Sequence, residues 1–302
     1  MKSLSTSAPA TEHMNTMISE KSIMPDRPGG IAIVTGAAGG MGTAISHAFA
    51  REGRPLILSD LNAQKLDALR TALGGHSEVA LVAGDVSEAA FSDRLKAVLA
   101  GRRIGVLAHA AGISPSMASG KRIFEINFLA TRRIVENLLP SMEPGGVAIL
   151  IASNSGQLIA HPLVDRAVRA ALRNRRSLIM AMMLRSPRTA YPLSKRAVQL
   201  YAQAMAPAFG KLDARIVSLS PGIIDTEMGR LEDSAGPEMA RMIELTPCRR
   251  KGLAEEIASV ASFLATSGAS YINGTDILID GGTVAGITAA GGPLALRRME
   301  RN

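Results

Sequence analysis

The sequence predicts an α/β fold in which a doubly wound, seven-stranded parallel sheet forms one domain. Continuous apolar runs such as IAIVT at 31–35 recur along the chain, and such runs are typical of strands buried on both faces of a parallel sheet. Segments with helical periodicity separate these runs, which indicates βαβ units joined by right-handed crossovers. No repeat or low-complexity block interrupts this alternation, so we expect a single domain over 30–285.

The elements follow one another in a regular order. IAIVT is the first strand, and a helical pattern at 41–52 follows it. PLILS at 55–59 is the second strand, and the segment 61–73 is helical again. The remaining predicted strands lie at 78–84, 103–110, 147–153, 214–220 and 274–282, with helical segments at 120–139 and from about 190.

Both ends of the chain differ from this pattern. Residues 1–29 are polar and end in a Pro/Gly break, so we expect a disordered tail without the apolar core of a secretory signal. Residues 286–302 form a basic C-terminal tail. Even a strongly apolar run such as LIMAMML at 178–184 is too short to cross a bilayer, so we expect no membrane span.

The amino-acid composition limits the binding partners and the cellular compartment that we expect for this protein. Cys248 is the only cysteine, which excludes an intrachain disulfide and a cysteine-based zinc site, and the histidines form no metal constellation, so we expect no metal. The reducing cytoplasm is the expected location. The net charge is +8 and arginines crowd 166–188, but no recognition motif or aromatic stacking platform accompanies them. We therefore expect solvated basic faces and small-molecule ligands rather than nucleic acid.

The first strand runs directly into TGAAGGMG, where a Gly-rich turn opens a helix. Such a turn presents free N–H groups and the positive end of a helix dipole to a pyrophosphate. Gly36 would permit the tight turn, Gly40 the close approach of the phosphate, and Gly42 the packing of helix on strand. The strand–turn–helix context predicts a Rossmann-type dinucleotide site rather than a flexible loop.

An acidic residue ends the second strand, as a dinucleotide site requires. Asp60 closes PLILSD, eighteen residues after Gly42, and its carboxylate is placed to bind the adenosine ribose hydroxyls. The same carboxylate would repel a 2′-phosphate, so the sequence favours NAD over NADP. The alternative is an aspartate that only terminates the strand.

The segment TAYPLSKRAVQ at 189–199 places Tyr191 and Lys195 one helical turn apart and so on one face. A free tyrosine has a pKa of about 10, and a nearby cation favours its charged form. The pair is therefore a candidate acid/base, although a solvated helix face would carry the same residues. Pro192 suits a helix only near its start, and Thr189 as N-cap would place it in the first turn.

These motifs and others in the same order resemble the short-chain dehydrogenase/reductase family over most of 30–283. The glycine loop is similar to TGxxxGxG, GDV at 84–86 to the adenine-contacting segment, SNSG at 153–156 to the serine motif, YPLSK at 191–195 to YxxSK, and SPGIIDTEM at 220–228 to the PG motif. HAAG at 109–112 departs from the usual NNAG at its first two positions. The resemblance implies catalytic roles for Asn127, Ser153, Tyr191 and Lys195, and cofactor binding by Gly36, Gly40, Met41, Gly42, Asp60, Asp85, Val86, Ala111, Gly112, Tyr191, Lys195, Pro221, Gly222, Ile224 and Thr226.

The resemblance also implies what each catalytic residue does. Tyr191 would exchange the proton of the alcohol, Lys195 would favour tyrosinate and hold the nicotinamide ribose, and Ser153 would hydrogen-bond the substrate oxygen. Asn127 would anchor a water that links Lys195 to solvent. The expected function is NAD-dependent interconversion of a secondary alcohol and a ketone in a homodimer or homotetramer. The alternatives are an NADP-linked carbonyl reductase and a non-catalytic NAD-sensing or scaffold protein.

The interval between Ser153 and Tyr191 is 38 residues, much longer than in most of the family. Segment 160–188 is therefore a predicted helical insertion before the tyrosine helix, with its LIMAMML run buried. The segment has two helical faces. One is apolar, and the other is rich in arginine: Val164, Val168, Ala171 and Leu172 on the first, and Arg166, Arg169, Arg173 and Arg176 on the second. The insertion would cap the substrate pocket, form a subunit interface or lie on an anionic membrane surface. Members similar to 3-alpha-hydroxysteroid dehydrogenase share such an extension, so the resemblance implies a hydroxysteroid-like or other apolar substrate.

Segment 227–250, which follows Thr226, is a second candidate for covering the substrate. Its methionines, Met228, Met239 and Met242, would form an adaptable apolar wall. Ordinary helix packing is the alternative.

Overall fold

The computed structural model describes residues 29–227, 229–230 and 238–292, with a seven-stranded sheet at its centre. All neighbouring strands are parallel, in the order β3-β2-β1-β4-β5-β6-β7, which confirms the predicted doubly wound sheet. The predicted N-terminal tail lies outside the described residues except for Gly29. The strands are β1 Ile31–Thr35, β2 Leu56–Asp60, β3 Val79–Ala83, β4 Ile104–His109, β5 Met142–Ile151, β6 Arg215–Pro221 and β7 Thr275–Ile279.

Helices cover both faces of the sheet. The α-helices are α1 Gly40–Arg51, α2 Ala63–Ala72, α3 Phe91–Leu99, α4 Gly120–Phe124, α5 Thr131–Leu138, α6 Asn154–Leu158, α7 Pro162–Leu172, α8 Leu178–Met183, α9 Pro187–Gly210, α10 Glu238–Leu245, α11 Ala254–Leu264 and α12 Thr283–Ala289. A π-helix at Glu125–Ala130 joins α4 to α5, and short 3₁₀ turns lie at Leu139–Ser141 and Ser267–Ala269.

The strand sequences are apolar because the sheet is buried on both faces. Ile31 and Ile33 of β1 belong to the core under α3, α5 and α9, whereas Ala32 and Val34 belong to the core under α1 and α11. Successive side chains of a strand point to opposite faces, so a strand between two cores needs an apolar residue at every position. All five residues of β1 are buried.

The predicted helix over 120–139 is interrupted at the position of Asn127. The π-helix between α4 and α5 contains this residue, and π turns inside α-helices occur frequently at functional sites. The apolar spacing predicts a helix here but does not reveal the extra residue that widens the turn. The asparagine therefore lies where the helix departs from its regular geometry.

The predicted insertion forms two helices, α7 and α8, that pack against α9. Ala167, Val168 and Met180 are buried in the core, and the arginine face of α7 is exposed, so the two predicted faces are confirmed. The predicted burial of LIMAMML is wrong for half of the run. Leu178 and Met182 are 84% and 58% exposed, because a helix of two turns can turn only one side toward the core.

The predicted start of the tyrosine helix is wrong. Helix α9 begins at Pro187 after Ser186, so Thr189 is inside the helix and its hydroxyl donates to the carbonyls of Met183 and Ser186. Pro192 consequently lies in the second turn rather than the first. Pro187 occupies the first helical position, where proline suits the backbone because its missing N–H has no partner there.

The ordered fold also extends beyond the predicted boundary at 285. Helix α12 runs to Ala289, and Ile287 is fully buried. A side chain at Gly286 would meet the carbonyl of Leu245, so glycine permits α12 to lie against the end of α10. Within the described ranges, no helix combines the length and the hydrophobicity that a membrane crossing requires.

Candidate active site

The glycine loop after β1 is shaped by three close contacts, two with backbone atoms and one with a side chain. Gly36 has a φ of +67°, and a Cβ there would lie 2.6 Å from the amide nitrogen of Ala111. A Cβ on Gly42 would lie 1.9 Å from the carbonyl oxygen of Gly36, so only glycine lets the helix start against the turn. A Cβ on Gly40 would meet the side chain of Thr226 at 2.5 Å. The loop therefore brings Ala111 and Thr226, both predicted cofactor residues, against the start of α1.

This loop can hold an anionic group. The first amides of an α-helix have no intrahelical carbonyl partner, and here they belong to Gly40, Met41 and Gly42. The N-cap Gly39 has no side chain that could accept from them, and the first turn contains no acidic residue. The amides and the helix dipole therefore suit a pyrophosphate, and the residues present fit a dinucleotide.

Asp60 lies at the carboxyl end of β2 and faces the same loop. One carboxylate oxygen accepts from the amide of Ala38 at 3.1 Å, and the other accepts from the amide of Asn62 at 3.1 Å. The aspartate thus also has the strand-terminating role that the sequence left as an alternative. Its contact with Ala38 places the negative charge directly beside the glycine loop.

Asp85 follows β3 and is held by protein partners. Its carboxylate accepts from the amide and hydroxyl of Ser87 at 2.8 and 2.7 Å, and from Arg122 of α4 at 2.7 Å. Hydrogen bonds from Ser87 and the charge of Arg122 outweigh partial burial and keep the pKa of this carboxyl below its ordinary value. The neighbouring Val86 is buried. The adenine contact that the resemblance implies for both residues stays a prediction.

Asn127 and Lys195 both lie beside Gly112, in the loop after β4. The Asn127 side chain accepts from the amide of Ile113 at 2.8 Å and donates to the carbonyl of Ile113 at 3.0 Å and to the hydroxyl of Ser194 at 3.3 Å. A Cβ on Gly112 would lie 3.1 Å from the Asn127 oxygen and 3.6 Å from Lys195 Nζ. Asn127 therefore ties the loop after β4 to helix α9.

The Asn127 backbone has its own partner. Its carbonyl oxygen accepts from the hydroxyl of Thr131 at 2.9 Å. The water that the resemblance implies at this asparagine stays a prediction.

Lys195 is 7% exposed and lies next to Tyr191. Its ammonium donates to the carbonyl of Ile151 at 3.1 Å and lies 5.7 Å from the centre of the Tyr191 ring. A buried cation close to a phenol favours the phenolate. The predicted Tyr–Lys geometry on one face of α9 is therefore present, one helical turn apart.

Ser153 caps the short helix α6 at the end of β5. Its hydroxyl oxygen accepts from the amide of Ser155 at 3.2 Å and from the hydroxyl of Ser155 at 3.0 Å. Its own proton is directed to the Asn154 side chain at 3.5 Å, which is long for a hydrogen bond. The arrangement holds the oxygen in place and leaves its hydrogen available to a substrate oxygen.

The segment after β6 closes the same edge of the sheet. Gly222 lies against Asp280, where a Cβ would come within 2.7 Å of the Asp280 backbone, and Ile224 is buried in a bridge to Gly252. Thr226 accepts from the amide of Gly229 at 3.1 Å and so starts the following turn. Of the proposed apolar wall, Met239 and Met242 of α10 are half-buried, while Met228 lies outside the described residues.

His109, the first departure from the usual NNAG, is buried and neutral. Its Nδ1 shares a 2.7 Å hydrogen bond with the Thr35 hydroxyl, and its Nε2 has no hydrogen-bond partner among the described residues. Burial, assisted by the charge of Lys195, lowers the pKa of the imidazole to about 3. A charged His109 beside Lys195 is therefore excluded near neutral pH.

Sequence reasoning missed two residues of α9 that hold the site. Ser194 accepts from Asn127, and Gln199, fully buried, donates to the carbonyl of Ser153 at 3.0 Å. Gln199 follows Lys195 by four residues, as Lys195 follows Tyr191, so helical spacing alone places all three on one face. In the described part of the chain, no group of three or more His, Cys, Asp and Glu residues could hold a metal ion.

Comparison with known proteins gives similarities over nearly the whole of the described domain. The family model described as short chain dehydrogenase matches residues 30–163, and the one described as enoyl-(acyl carrier protein) reductase matches residues 166–284. D-Threitol dehydrogenase from Mycolicibacterium smegmatis is 31% identical over 270 residues, which cover 84% of this chain and 92% of that protein.

Two further relatives agree with these matches. Galactitol 2-dehydrogenase (L-tagatose-forming) from Cereibacter sphaeroides is 28% identical over 266 residues, which cover 84% of this chain and 94% of that protein. The crystal structure of a short-chain dehydrogenase/reductase, described as glucose/ribitol dehydrogenase, from Brucella melitensis is 26% identical with a TM-score of 0.70. The alignment covers 85% of this chain and 98% of that one.

Proposed function

Since the chain belongs to the short-chain dehydrogenase/reductase family and is an oxidoreductase acting on CH–OH groups, we propose that it interconverts a secondary alcohol and a ketone with NAD. The observation that carries the proposal is the placement of Lys195 against both Tyr191 and the carbonyl of Ile151, beside Asn127. A buried lysine held in this position lowers the free energy that is needed to ionise Tyr191 to tyrosinate. A sensor or scaffold protein would have no need of it.

In the proposed reaction, each residue of the site has a separate role. The nicotinamide dinucleotide supplies the hydride acceptor for alcohol oxidation and the hydride donor for ketone reduction. Tyr191 takes the hydroxyl proton during oxidation and returns it during reduction, with Lys195 favouring the charged phenolate. Ser153 donates its hydrogen to the substrate oxygen, because Ser155 occupies its acceptor positions. Asn127 holds the loop after β4 against α9. These bonds fix the distance between the cofactor-binding loop and the helix that carries Tyr191 and Lys195.

The first test is Tyr191→Phe, which removes the proton-transferring hydroxyl and little else. We expect turnover to fall by about 10²- to 10⁴-fold, the usual contribution of general acid–base catalysis, while NAD binding is retained. Steady-state kinetics and fluorescence titration with NADH measure the two quantities. Tyr201→Phe is the matched control, because Tyr201 lies on the same helix with its hydroxyl 3.4 Å from the Arg132 carbonyl. Retained turnover in Tyr191→Phe would refute the proposed mechanism.

The preference for NAD rests on Asp60. Its carboxylate lies beside the glycine loop through the contact with Ala38, and a charge at that place repels the 2′-phosphate of NADP. We expect Asp60→Ala to weaken NAD binding and to improve the relative binding of NADP. Parallel titrations of wild type and variant with NADH and NADPH measure the ratio. A wild-type protein that binds NADPH more tightly would favour the NADP-linked carbonyl reductase instead.

The proposed substrate is an apolar secondary alcohol, such as a hydroxysteroid, because the insertion α7–α8 adds apolar surface next to the catalytic helix. A sugar alcohol is the second candidate, since the names of two relatives specify threitol and galactitol. An NAD-reduction screen that contains hydroxysteroids, hydroxyacyl compounds and four- to six-carbon polyols separates the two classes by kcat/KM. Assembly into a homodimer or homotetramer and a cytoplasmic location are further parts of this proposal.

A further inference from the structure

A buried polar network links the catalytic serine to the insertion. Gln199 of α9 is fully buried, and its amide nitrogen donates to the Ser153 carbonyl at 3.0 Å and to the Ser220 hydroxyl at 2.8 Å. Its amide oxygen accepts from Arg196 at 3.1 Å. Both amide protons and the amide oxygen of Gln199 are therefore used. The two donated bonds lead to the start of α6 and to β6, and the accepted bond comes from Arg196 one turn earlier on α9.

The outer end of the network lies in the insertion. Arg196 forms a bidentate pair with Asp165 of α7, with distances of 2.8 and 2.6 Å, and the two side chains are 11% and 24% exposed. The bonds from Arg196 keep the pKa of the Asp165 carboxyl below its ordinary value, so the pair is charged at neutral pH. A bidentate pair restrains orientation as well as distance, so α7 determines the direction in which Arg196 meets Gln199.

The inner end of the network holds the other side of α6. Asp276 of β7 accepts from the hydroxyls of Ser218 and Ser220 at 2.6 and 2.8 Å, and from the Gln157 side chain at 2.6 Å. Gln157 belongs to α6, so this helix is attached at the Ser153 carbonyl through Gln199 and at Gln157 through Asp276. A helix of five residues is too short to be stable alone.

Gly156 makes the central contact possible. A Cβ on Gly156 would lie 2.7 Å from the Gln199 amide nitrogen and 2.8 Å from the backbone nitrogen of Arg196. Any other residue would push α6 and α9 apart and separate Gln199 from the serine. The glycine of the SNSG motif is therefore the position that admits the glutamine.

From these contacts we propose that Gln199 is a positioning residue that orients Ser153, and that the Asp165–Arg196 pair connects the insertion to this function. This inference rests on the proposed reaction. The plain alternative is that the network only satisfies buried polar groups. The two differ in outcome, because a positioning role predicts a loss of turnover in a protein that is folded and still binds cofactor.

The test compares Gln199→Leu, Asp165→Ala and the double variant with wild type. For Gln199→Leu we expect kcat to fall about 10- to 100-fold, because a misplacement of about 1 Å can cost about 100-fold. We expect the KM for NAD to stay within about twofold of wild type. Asp165→Ala should lower kcat by a smaller factor. The double variant should be no slower than Gln199→Leu, because Asp165 acts through Gln199.

The matched control is Gln203→Leu, which lies one turn further along α9. Gln203 is exposed and binds Arg169 of the insertion at 3.3 Å, so it shares the helix and the neighbour but not the contact with Ser153. We expect its kcat to equal that of wild type. Wild-type kcat in folded Gln199→Leu, or losses that multiply in the double variant, would overturn the proposal.

A second measurement does not depend on turnover. Amide hydrogen exchange at 154–158 should accelerate in Gln199→Leu while exchange in β1 and β4 is unchanged. If wild type reduces no NAD with any alcohol, the proposed function fails, yet this exchange still tests whether Gln199 holds α6. If Gln199→Leu does not fold, Asp165→Ala alone decides: normal kcat and normal exchange at 154–158 would reject the connection to the insertion.

Discussion

At the residue scale, the main feature of the site is the buried ammonium group of Lys195, which has several neighbouring groups. Lys195 is almost inaccessible, and burying an ammonium group is costly unless acceptors and electron-rich groups surround it. The Ile151 carbonyl and the Tyr191 ring supply two such neighbours. Gly112 lies beside both Lys195 and Asn127, since a Cβ built on it would be 3.6 Å from Lys195 Nζ and 3.1 Å from the Asn127 side-chain oxygen. The lysine charge thus lies 5.7 Å from the centre of the Tyr191 ring, as the proposed proton transfer requires.

His109 gives this environment a measurable pH dependence. Its pKa is about 3 in the folded protein, against about 6.5 in the unfolded chain, so between these values the unfolded state binds the extra proton. Stability therefore rises with pH over that window and is lost as pH falls through it. Between pH 7 and pH 5 we expect wild type to lose about 2 kcal/mol more than His109→Asn. Urea unfolding at the two pH values measures the difference.

A control variant separates this effect from general acid destabilisation. His76 is exposed, so His76→Asn should retain the wild-type loss between pH 7 and pH 5. An equal loss in His109→Asn and wild type would mean that His109 is able to take up a proton in the folded protein. Its burial would then be less complete than the structure indicates.

At the scale of single elements, α9 carries most of the site and also a proline in its second turn. The helix holds Tyr191, Ser194, Lys195 and Gln199 on the side that faces the sheet. Pro192 has no N–H, so the carbonyl of Arg188 lacks its usual partner four residues on. The hydroxyl of Ser194 donates to the carbonyl of Tyr191 at 2.7 Å. This bond uses a different carbonyl and does not replace the one that Pro192 removes.

Replacing this proline should stabilise the protein. We expect Pro192→Ala to raise the free energy of unfolding by about 1 to 3 kcal/mol, because alanine restores the helical bond and removes the steric conflict with the preceding turn. Pro187→Ala is the control, since proline at the first helical position costs nothing and its replacement should change stability by less than about 1 kcal/mol. Urea unfolding measures both. An unchanged or lower stability of Pro192→Ala would show that the proline is compatible with the backbone as it stands.

The elements differ in how far periodicity predicts them. The seven strands and most helices follow from apolar runs and helical spacing, because those patterns reflect burial directly. The π-helix around Asn127 does not, since one additional residue per turn leaves nearly the same apolar spacing. Periodicity does not fix the start of α9 either. Ser186–Pro187 and Thr189 are both reasonable helix beginnings, and packing against α8 and α4 selects the earlier one.

At the scale of the whole molecule, β7 is an edge of the sheet with exposed apolar neighbours. Leu278 is 41% exposed, Phe263 of α11 is 49% exposed, and Tyr271 just before the strand is fully exposed. An exposed edge strand offers unpaired backbone groups and is usually covered or protected by charge. This edge therefore combines an edge strand with exposed apolar side chains.

We expect the proposed homo-oligomer to assemble through that edge. Leu278→Lys should lower the mass measured by light scattering from an oligomer toward the monomer, because a charge would be buried in the contact. Leu178→Lys, at the exposed position of α8, is the matched control and should leave the mass unchanged. The opposite result, a loss of mass only in Leu178→Lys, would place the interface on the insertion.

The sequence by itself determined the parallel sheet, the glycine loop, Asp60 and the Tyr–Lys pair. Each depends on spacing within one segment: strand periodicity, a strand–turn–helix junction or one helical turn. Only the tertiary structure decided that Gly112 lies against Asn127, that Gly156 admits Gln199 to the Ser153 carbonyl, and that Asp165 reaches the site through Arg196. These contacts join residues distant along the chain, and they form only when the strands and helices pack. Local patterns carry no record of which side chain will face which, so the insertion's connection to the serine could not be predicted from its own sequence.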